Sequence, residues 1–188
     1  MDISIAQPNQ KRQIAKLIMT AMNYECCRYF TGERHTLAEF EDMMTALVAR
    51  TDSQYSYLNT LVATDAGSLT GICVSYNGAF LHTLRRAFIS ETLQRFGRDF
   101  SAMDDETQPG ELYIDSLCVE TAYRGHGIAS ALIRATIDKA KSIGIPAVGL
   151  LVDQGNPKAE ALYSRLGFTF INNASWGGHP MKHLQYIL

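Results

Sequence analysis

The chain has 188 residues, 46% of them hydrophobic and 19% charged, with a formal net charge of −2. That length and apolar content can bury the core of one domain without disulfides or a structural metal, and they exclude intrinsic disorder, which needs many charges and few apolar residues. The near-neutral balance argues against a dedicated nucleic-acid binder, whose phosphate contacts need a basic surface, and no apolar run approaches the ~18 residues of a membrane span.

The opening segment MDISIAQPNQKRQ has no basic stretch followed by an apolar one, so no secretory signal is expected. Cys26, Cys27, Cys73 and Cys118 form no C-x-x-C pair. They read as free packing thiols in a reducing cytoplasm, and no metal site is expected.

In chain order, Ile3-Ser4-Ile5 alternates as a short strand. After Pro8-Asn9, residues Ile14, Leu17, Ile18, Ala21 and Met22 recur at helical spacing. Thr36, with Glu39 three residues later, forms a capping box that opens a helix with Phe40, Met43, Met44, Leu47 and Val48 on one face. Residues 57–63 and 69–76 are predicted as strands joined at Asp65-Ala66-Gly67, a hairpin signal. Leu81, Leu84, Phe88 and Leu93 predict a helix ending at Gly97, and the polar, acidic stretch 98–110 reads as a loop.

Residues 111–119 are predicted as a strand, and 128–143 as a helix with Ile128, Leu132, Ala135 and Ile143 facing inward. Gly144 caps that helix and Pro146 stops it. Residues 147–152 read as a buried strand. Asn156 caps a further helix with Pro157 at its first position and Gly167 after its end. Residues 168–171 and 183–188 are predicted as the last strands. The order is β-α-α-β-β-α-β-α-β-α-β-β. Its strand–helix–strand crossover between residues 111 and 152 implies locally parallel strands, and the fold class expected is α/β (α+β) with a mixed sheet in a single domain spanning 1–188.

The stretch that carries chemistry is Tyr123-Arg124-Gly125-His126-Gly127-Ile128-Ala129. Two glycines enter a long amphipathic helix, and such a turn offers unpaired N–H groups and the positive end of the helix dipole to a phosphate or pyrophosphate. A P-loop is excluded because no Gly-Lys-Ser/Thr closes the motif. A dinucleotide fingerprint is a rival, with Gly125-x-Gly127-x-x-Ser130 inside a βαβ unit and Asp153 ending the next strand. Against it stand Ser130 in place of the third glycine and the polar segment 120–124 between strand and loop.

The segment Arg124-Gly125-His126-Gly127-Ile128-Ala129 resembles the acyl-CoA-binding motif of the GNAT family of N-acetyltransferases, Gln/Arg-x-x-Gly-x-Gly/Ala. The strand Ile114-Asp115-Ser116-Leu117-Cys118-Val119 is similar to the one before that motif. Asn156 followed by Ala161-Leu162-Tyr163-Ser164-Arg165-Leu166-Gly167-Phe168 is similar to the second half of the family's cofactor site. Together these cover residues 111–170.

The resemblance implies a GNAT-like fold whose central sheet is splayed at the cofactor site and flanked by helices, with acetyl-CoA as cosubstrate and no metal. It implies that the Leu117 N–H holds the thioester carbonyl, that Val119 pairs with the pantetheine arm beside Cys118, and that Gly125, His126, Gly127, Ile128 and Ala129 cradle the pyrophosphate. Arg124 would add charge there, and Asn156 would touch the pantetheine. Tyr163 would protonate the departing thiolate, as a phenol of pKa about 10 can at neutral pH.

The general base is left between Glu111 and Asp115. Strand alternation puts Glu111, Tyr113, Asp115, Leu117 and Val119 on one face. Glu111 lies thirteen residues before Arg124, as the glutamate base does in the histone-acetylating branch of the family, while Asp115 is nearer the thioester. His126 sits in the phosphate turn, away from the acyl end. His179 and His183 read as structural residues, with 176–180 placed to line the acceptor site.

The stretch from residue 81 to 110 is longer than a link between neighbouring strands needs. Its helix is basic at Arg85, Arg86, Arg95 and Arg98, and its tail is acidic at Asp99, Asp104, Asp105 and Glu106. Acids near an amine cleft attract a cationic acceptor. The function expected is acetyl transfer to a primary amine of a small molecule, peptide or protein, with no nucleic-acid or membrane partner. Apolar residues on the last strand are compatible with a homodimer. The alternatives are a non-catalytic acyl-CoA-binding module on the same fold and a dinucleotide oxidoreductase.

Overall fold

A computed structural model describes residues 1–188. In chain order the elements are β1 (Asp2–Ile5), α1 (Lys11–Met22), α2 (Tyr24–Thr31), α3 (Leu37–Ala49), β2 (Thr60–Asp65), β3 (Ser68–Asn77) and α4 (Leu81–Phe96). They continue with β4 (Glu111–Val119), α5 (Ile128–Ser142), β5 (Ala147–Asp153), α6 (Pro157–Arg165), β6 (Thr169–Trp176) and β7 (His179–Ile187). Seven strands form one sheet in the order β1-β2-β3-β4-β5-β7-β6. Only β4 and β5 run parallel, as the crossover through α5 requires.

Local chemistry explains most boundaries. At the start of α3, Thr36 Oγ1 accepts from the Glu39 N–H (3.2 Å), and Glu39 Oε2 accepts from the Thr36 N–H (2.7 Å). This closes the capping box. The β2–β3 hairpin turns through Ala66 and Gly67, both at positive φ (48° and 81°), the backbone that a tight two-residue hairpin turn demands. Asn156 Oδ1 accepts from the Ala159 N–H (3.1 Å) and caps α6, with Pro157 at its first position.

The sheet divides two cores. On one face α1, α2, α3 and α4 bury Ile14, Ile18, Phe30, Phe40, Met43, Leu47 and Phe88 against Val62, Ile72, Val74 and Cys118. On the other, α5 and α6 pack Leu132, Ile133, Ile137, Leu162 and Leu166 against Cys73, Leu112, Ile114, Val148 and Leu150. Each such fully buried aliphatic or aromatic side chain contributes about 1.5–3 kcal/mol.

Four features differ from the sequence expectation. Helix α2 was not foreseen. It is short and opens on Asn23, which takes φ 66° so that its Oδ1 can accept from the Cys26 N–H. The last two strands extend to a full hairpin over residues 169–187, turning at Gly177-Gly178, because β6 is an edge strand with little apolar alternation to announce it. Ile143 is not in the core: it lies beyond α5 and is 54% exposed, while Ile133, Thr136, Ile137 and Ala140 take the inward positions.

The fourth difference concerns β4. Val74 pairs with Ser116 and Ser75 with Ile114, which leaves Asp115 as the extra residue of a β-bulge. A bulge shifts the alternation by one. Before it, Leu112 and Ile114 face α5; after it, Leu117 and Val119 do. Glu111, Tyr113, Asp115, Leu117 and Val119 therefore do not share one face.

Glu111 is fully buried. Its carboxylate accepts from Thr107 Oγ1 (2.6 Å) and Gln185 Nε2 (2.7 Å), and lies 2.8 Å from His183 Nε2. It occupies the space over Gly149 on β5, where any Cβ would collide with it. Gly149→Ala is therefore expected to cost about 1–3 kcal/mol, the usual range for overpacking a closed core. Denaturant unfolding measures this, and an unchanged midpoint would show that Glu111 is not held over Gly149.

Candidate active site

The sheet opens in its middle. β4 and β5 pair only from Glu111–Ala147 to Ile114–Leu150, although β4 runs on to Val119 and β5 to Asp153. The Glu120 N–H donates to Thr70 O on the β3 side (2.9 Å). Strand groups alternate in direction, so the Leu117 and Val119 backbone groups point the other way, into the gap. The Val119 carbonyl accepts there from Arg124 Nε (3.1 Å).

A cavity of about 600 Å³ runs from this gap to the start of α5. Gly125 and Gly127 line it, with φ 82° and 78° and open space where a Cβ would stand. Glycine is needed there for its backbone conformation rather than for room. The first helical bond of α5 runs from the Ala131 N–H to Gly127 O (3.0 Å), so the N–H groups of residues 128–130 have no partner within the helix. Arg124, Lys158 and Arg165 also line this cavity, and no carboxylate does.

A second cavity, about 1,100 Å³, lies on the α1–α4 side of the gap. Its lining is acidic: Glu25, Asp99, Asp104, Glu106, Asp115 and Asp153 face Arg98 and His179. Aromatic walls come from Tyr29, Phe30, Phe100, Tyr113 and Trp176. Phe30 knits these walls together, with ring centroids 4.9 Å from Phe88 and Phe100 and 6.2 Å from Trp176. The segment after α4 supplies much of this lining, from Gly97 to Glu106. Arg85 on α4 is not a solvated charge: it is 3% exposed and ion-paired to Glu106 and Asp105.

The two cavities meet at Ala21, Leu117, Ala159 and Tyr163. Tyr163 is pushed up to about 12 by burial, so its phenol keeps its proton. Asp115, at the bulge, lines the acidic cavity and accepts from Gln54 Nε2 (3.1 Å) and Ser116 Oγ (2.8 Å). Burial, reinforced by the nearby Glu106 charge, raises it to about 7. Glu111 lines neither cavity. Burial alone would raise its pKa, but the bonds to His183, Thr107 and Gln185 outweigh this and hold it below the ordinary carboxylate range.

Of the other residues singled out from sequence, Cys118 and Val119 line the smaller cavity with Ile128 and Ala129, whereas His126 does not. His126 is exposed, its Nδ1 3.2 Å from Tyr123 O. Asn156 lines the acidic cavity instead, its Oδ1 engaged in capping. The hairpin residues 176–179 line that cavity too. All four cysteines are free. Burial raises every one of them, to about 11 for Cys26 and Cys73 and about 12 for Cys27, which leaves little thiolate for nucleophilic work. Lys158, Arg165, Gln54 and Tyr55 were missed from sequence. The first two could have been found as the cations two and nine residues beyond Asn156 on the helix it caps; Gln54 and Tyr55 had no signal.

The Acetyltransferase (GNAT) family model matches residues 21–168 of this chain. The N-alpha-acetyltransferase MAK3 of Arabidopsis thaliana is 42% identical over 66 residues, which is 35% of this chain and 35% of that protein. Acetyltransferase Atu2258 of Agrobacterium fabrum is 39% identical over 67 residues, 36% of this chain and 47% of that protein. The matched segment thus spans less than half the length of either relative. Among solved structures, one described as an acetyltransferase superposes with a TM-score of 0.82 at 27% identity, covering 100% of this chain and 99% of the other. An N-acetyltransferase from Staphylococcus aureus Mu50 gives a TM-score of 0.83 at 23% identity, covering 99% and 100%, a likeness of fold.

The raised Asp115 carboxyl has a sign that can be checked. Its unfolded value is about 4, so between about pH 4 and its folded value of about 7 the native state holds an extra proton. Stability therefore falls as pH rises through that window. Carboxyl NMR is expected to place the Asp115 midpoint near 7, and Asp115→Asn to remove that pH slope of unfolding. A midpoint near 4 would contradict the buried, anion-flanked environment described above.

Proposed function

The chain belongs to the acetyltransferase (GNAT) family, and we propose that it transfers the acetyl group of acetyl-CoA to a cationic primary amine by direct attack in a ternary complex. One observation carries this reading. Two cavities of opposite charge character, one basic and glycine-framed, the other acidic and aromatic, meet at Leu117 and Tyr163. An anionic donor suits the first and an ammonium acceptor the second.

In the smaller cavity the first-turn N–H groups of α5, with Arg124, Lys158 and Arg165, bind the diphosphate and phosphate groups of CoA. The Val119 backbone flanks the pantetheine arm. The Leu117 N–H, aimed into the gap, donates to the thioester carbonyl and holds the oxyanion that forms during attack.

An alkyl ammonium has a pKa about 10.4, so at pH 7 only roughly one amine in a few thousand is a free base. Asp115, poised near 7, accepts the ammonium proton directly or through water. The amine nitrogen then bonds to the carbonyl carbon as the C–S bond breaks. Tyr163 gives its proton to the departing sulfur and recovers one from the new amide nitrogen. Two protons leave the ammonium: one reaches solvent through Asp115, and the other replaces that lost by Tyr163. The buried, poorly ionised cysteines favour direct attack over an acyl-cysteine route. Glu111, already engaged by three partners, serves the sheet rather than the chemistry.

Exposed carboxylates at the mouth of the acidic cavity, Glu25, Asp99 and Asp104, draw a cationic acceptor in. The amine is that of a small molecule or of a peptide or protein. No helix is long and apolar enough to cross a membrane, and four unpaired thiols suit a reducing, cytoplasmic setting.

CoA release from acetyl-CoA, followed over a panel of amines, tests the proposal. Turnover is expected with cationic amines, falling by about 10²-fold or more in Tyr163→Phe and Asp115→Asn, the usual weight of a general acid or base. Wild-type turnover in both variants would overturn the mechanism. Acetyl-CoA binding without turnover on any amine would favour the non-catalytic binding module, and binding of NAD(P) in place of CoA the dinucleotide reading.

A further inference from the structure

Beneath the acidic cavity lies a second carboxylate that the mechanism above does not use. Glu106 comes from the segment after α4 and is 6% exposed. It accepts from Tyr76 Oη (2.8 Å), Gln54 Nε2 (3.3 Å) and Trp176 Nε1 (3.3 Å), and it is ion-paired with the buried Arg85 guanidinium. The same Gln54 nitrogen donates to Asp115 Oδ2 (3.1 Å). One amide thus bridges the two carboxylates, and its own Oε1 is buried without a partner. Turning the amide over would aim that oxygen at two carboxylates, so the bridge holds its orientation at the expense of an orphaned acceptor.

We infer that Glu106, clamped by Arg85 and coupled through Gln54, is a positioning residue that keeps Asp115 a base matched to neutral pH. This rests on the reading of Asp115 as the proton acceptor. The two carboxylates are held unequally. Glu106 has four donors, one of them a guanidinium, whereas Asp115 has two, both neutral. Where two carboxylates share a site, the charge of one raises the other, and here Glu106 raises Asp115.

The remaining groups around Asp115 do not reverse this. Tyr55 before β2, Tyr76 on β3 and Tyr113 on β4 are all raised well above their ordinary value by burial and stay neutral. Cys73 on β3 is likewise raised by burial, to about 11. Arg85 on α4 is the one cation acting on Asp115, and its guanidinium is spent on Glu106 and Asp105. Burial raises Asp115 first, and the clamped Glu106 beside it raises it further.

The test is the acid limb of the kcat/KM profile in three variants, with thermal unfolding and acetyl-CoA binding as checks of fold. Glu106→Gln removes the fixed anion and is expected to lower the limb's midpoint by about one pH unit. Gln54→Met removes a donor to ionised Asp115 and is expected to raise it. A merely structural role would not shift the midpoint in opposite directions. If Glu106→Gln does not fold, Gln54→Met and the carboxyl NMR titration of Asp115 in it carry the test, since a midpoint that stays put there overturns the inference. If Asp115→Asn is inactive while both other variants titrate as wild type, the coupling is wrong and the catalytic reading stands. If Asp115→Asn is fully active, both fall.

Discussion

The parting of β4 from β5 is the constraint on which the rest of this molecule depends. Beyond Ile114 and Leu150 the two strands no longer pair. A parallel sheet interior is normally closed by its ladder, and here several backbone groups are left facing a cleft. The bulge at Asp115 falls at the same point. It turns Leu117 and Val119 toward the α5 side, while Asp115 stays with Tyr113 on the side of the opposite cavity. In the proposed reaction, one local irregularity thus serves both the donor for a developing oxyanion and the carboxyl for a proton.

Everything else stiffens or equips that opening. Glu111, His183 and Gln185 lock the closed end of the wedge, where β4, β5 and β7 are still in register. The α5 turn brings N–H groups and Arg124 to one side of the cleft, and α6 adds Lys158, Arg165 and Tyr163. On the other side the segment from Gly97 to Glu106 wraps the acidic cavity, and its Glu106 carboxylate is held by Arg85, Tyr76 and Trp176. The nearly neutral chain is therefore a chain of two segregated fields. In the proposed reaction, their separation by the gap orients an anionic donor and a cationic acceptor toward each other.

What could be read from the sequence was local and chemical. The Thr36–Glu39 box, the Ala66-Gly67 turn and the Asn156-Pro157 start each encode their geometry in adjacent residues. The glycines at 125 and 127 gained their reading only together with the Asn156 to Phe168 segment that holds Tyr163. The bulge was invisible for a physical reason. In ELYIDSLCV apolar residues occupy both alternation phases, so a regular strand and a bulged one fit equally well. That is why the sequence leaves Glu111 and Asp115 open as bases. Gln54, Arg85 and Glu106 meet across 21 to 52 residues of chain, with no pattern to connect them. Helix α2 escaped because eight residues with two central cysteines show too little periodicity.

Residue-resolved amide hydrogen exchange, with and without saturating acetyl-CoA, tests the central claim most directly. If the gap between β4 and β5 receives the thioester, exchange slows on binding at Leu117 and Val119 and across residues 127–130, while the β1–β2 ladder is unaffected. Saturation with acetyl-CoA that leaves Leu117 and Val119 exchanging as in the free chain would contradict it.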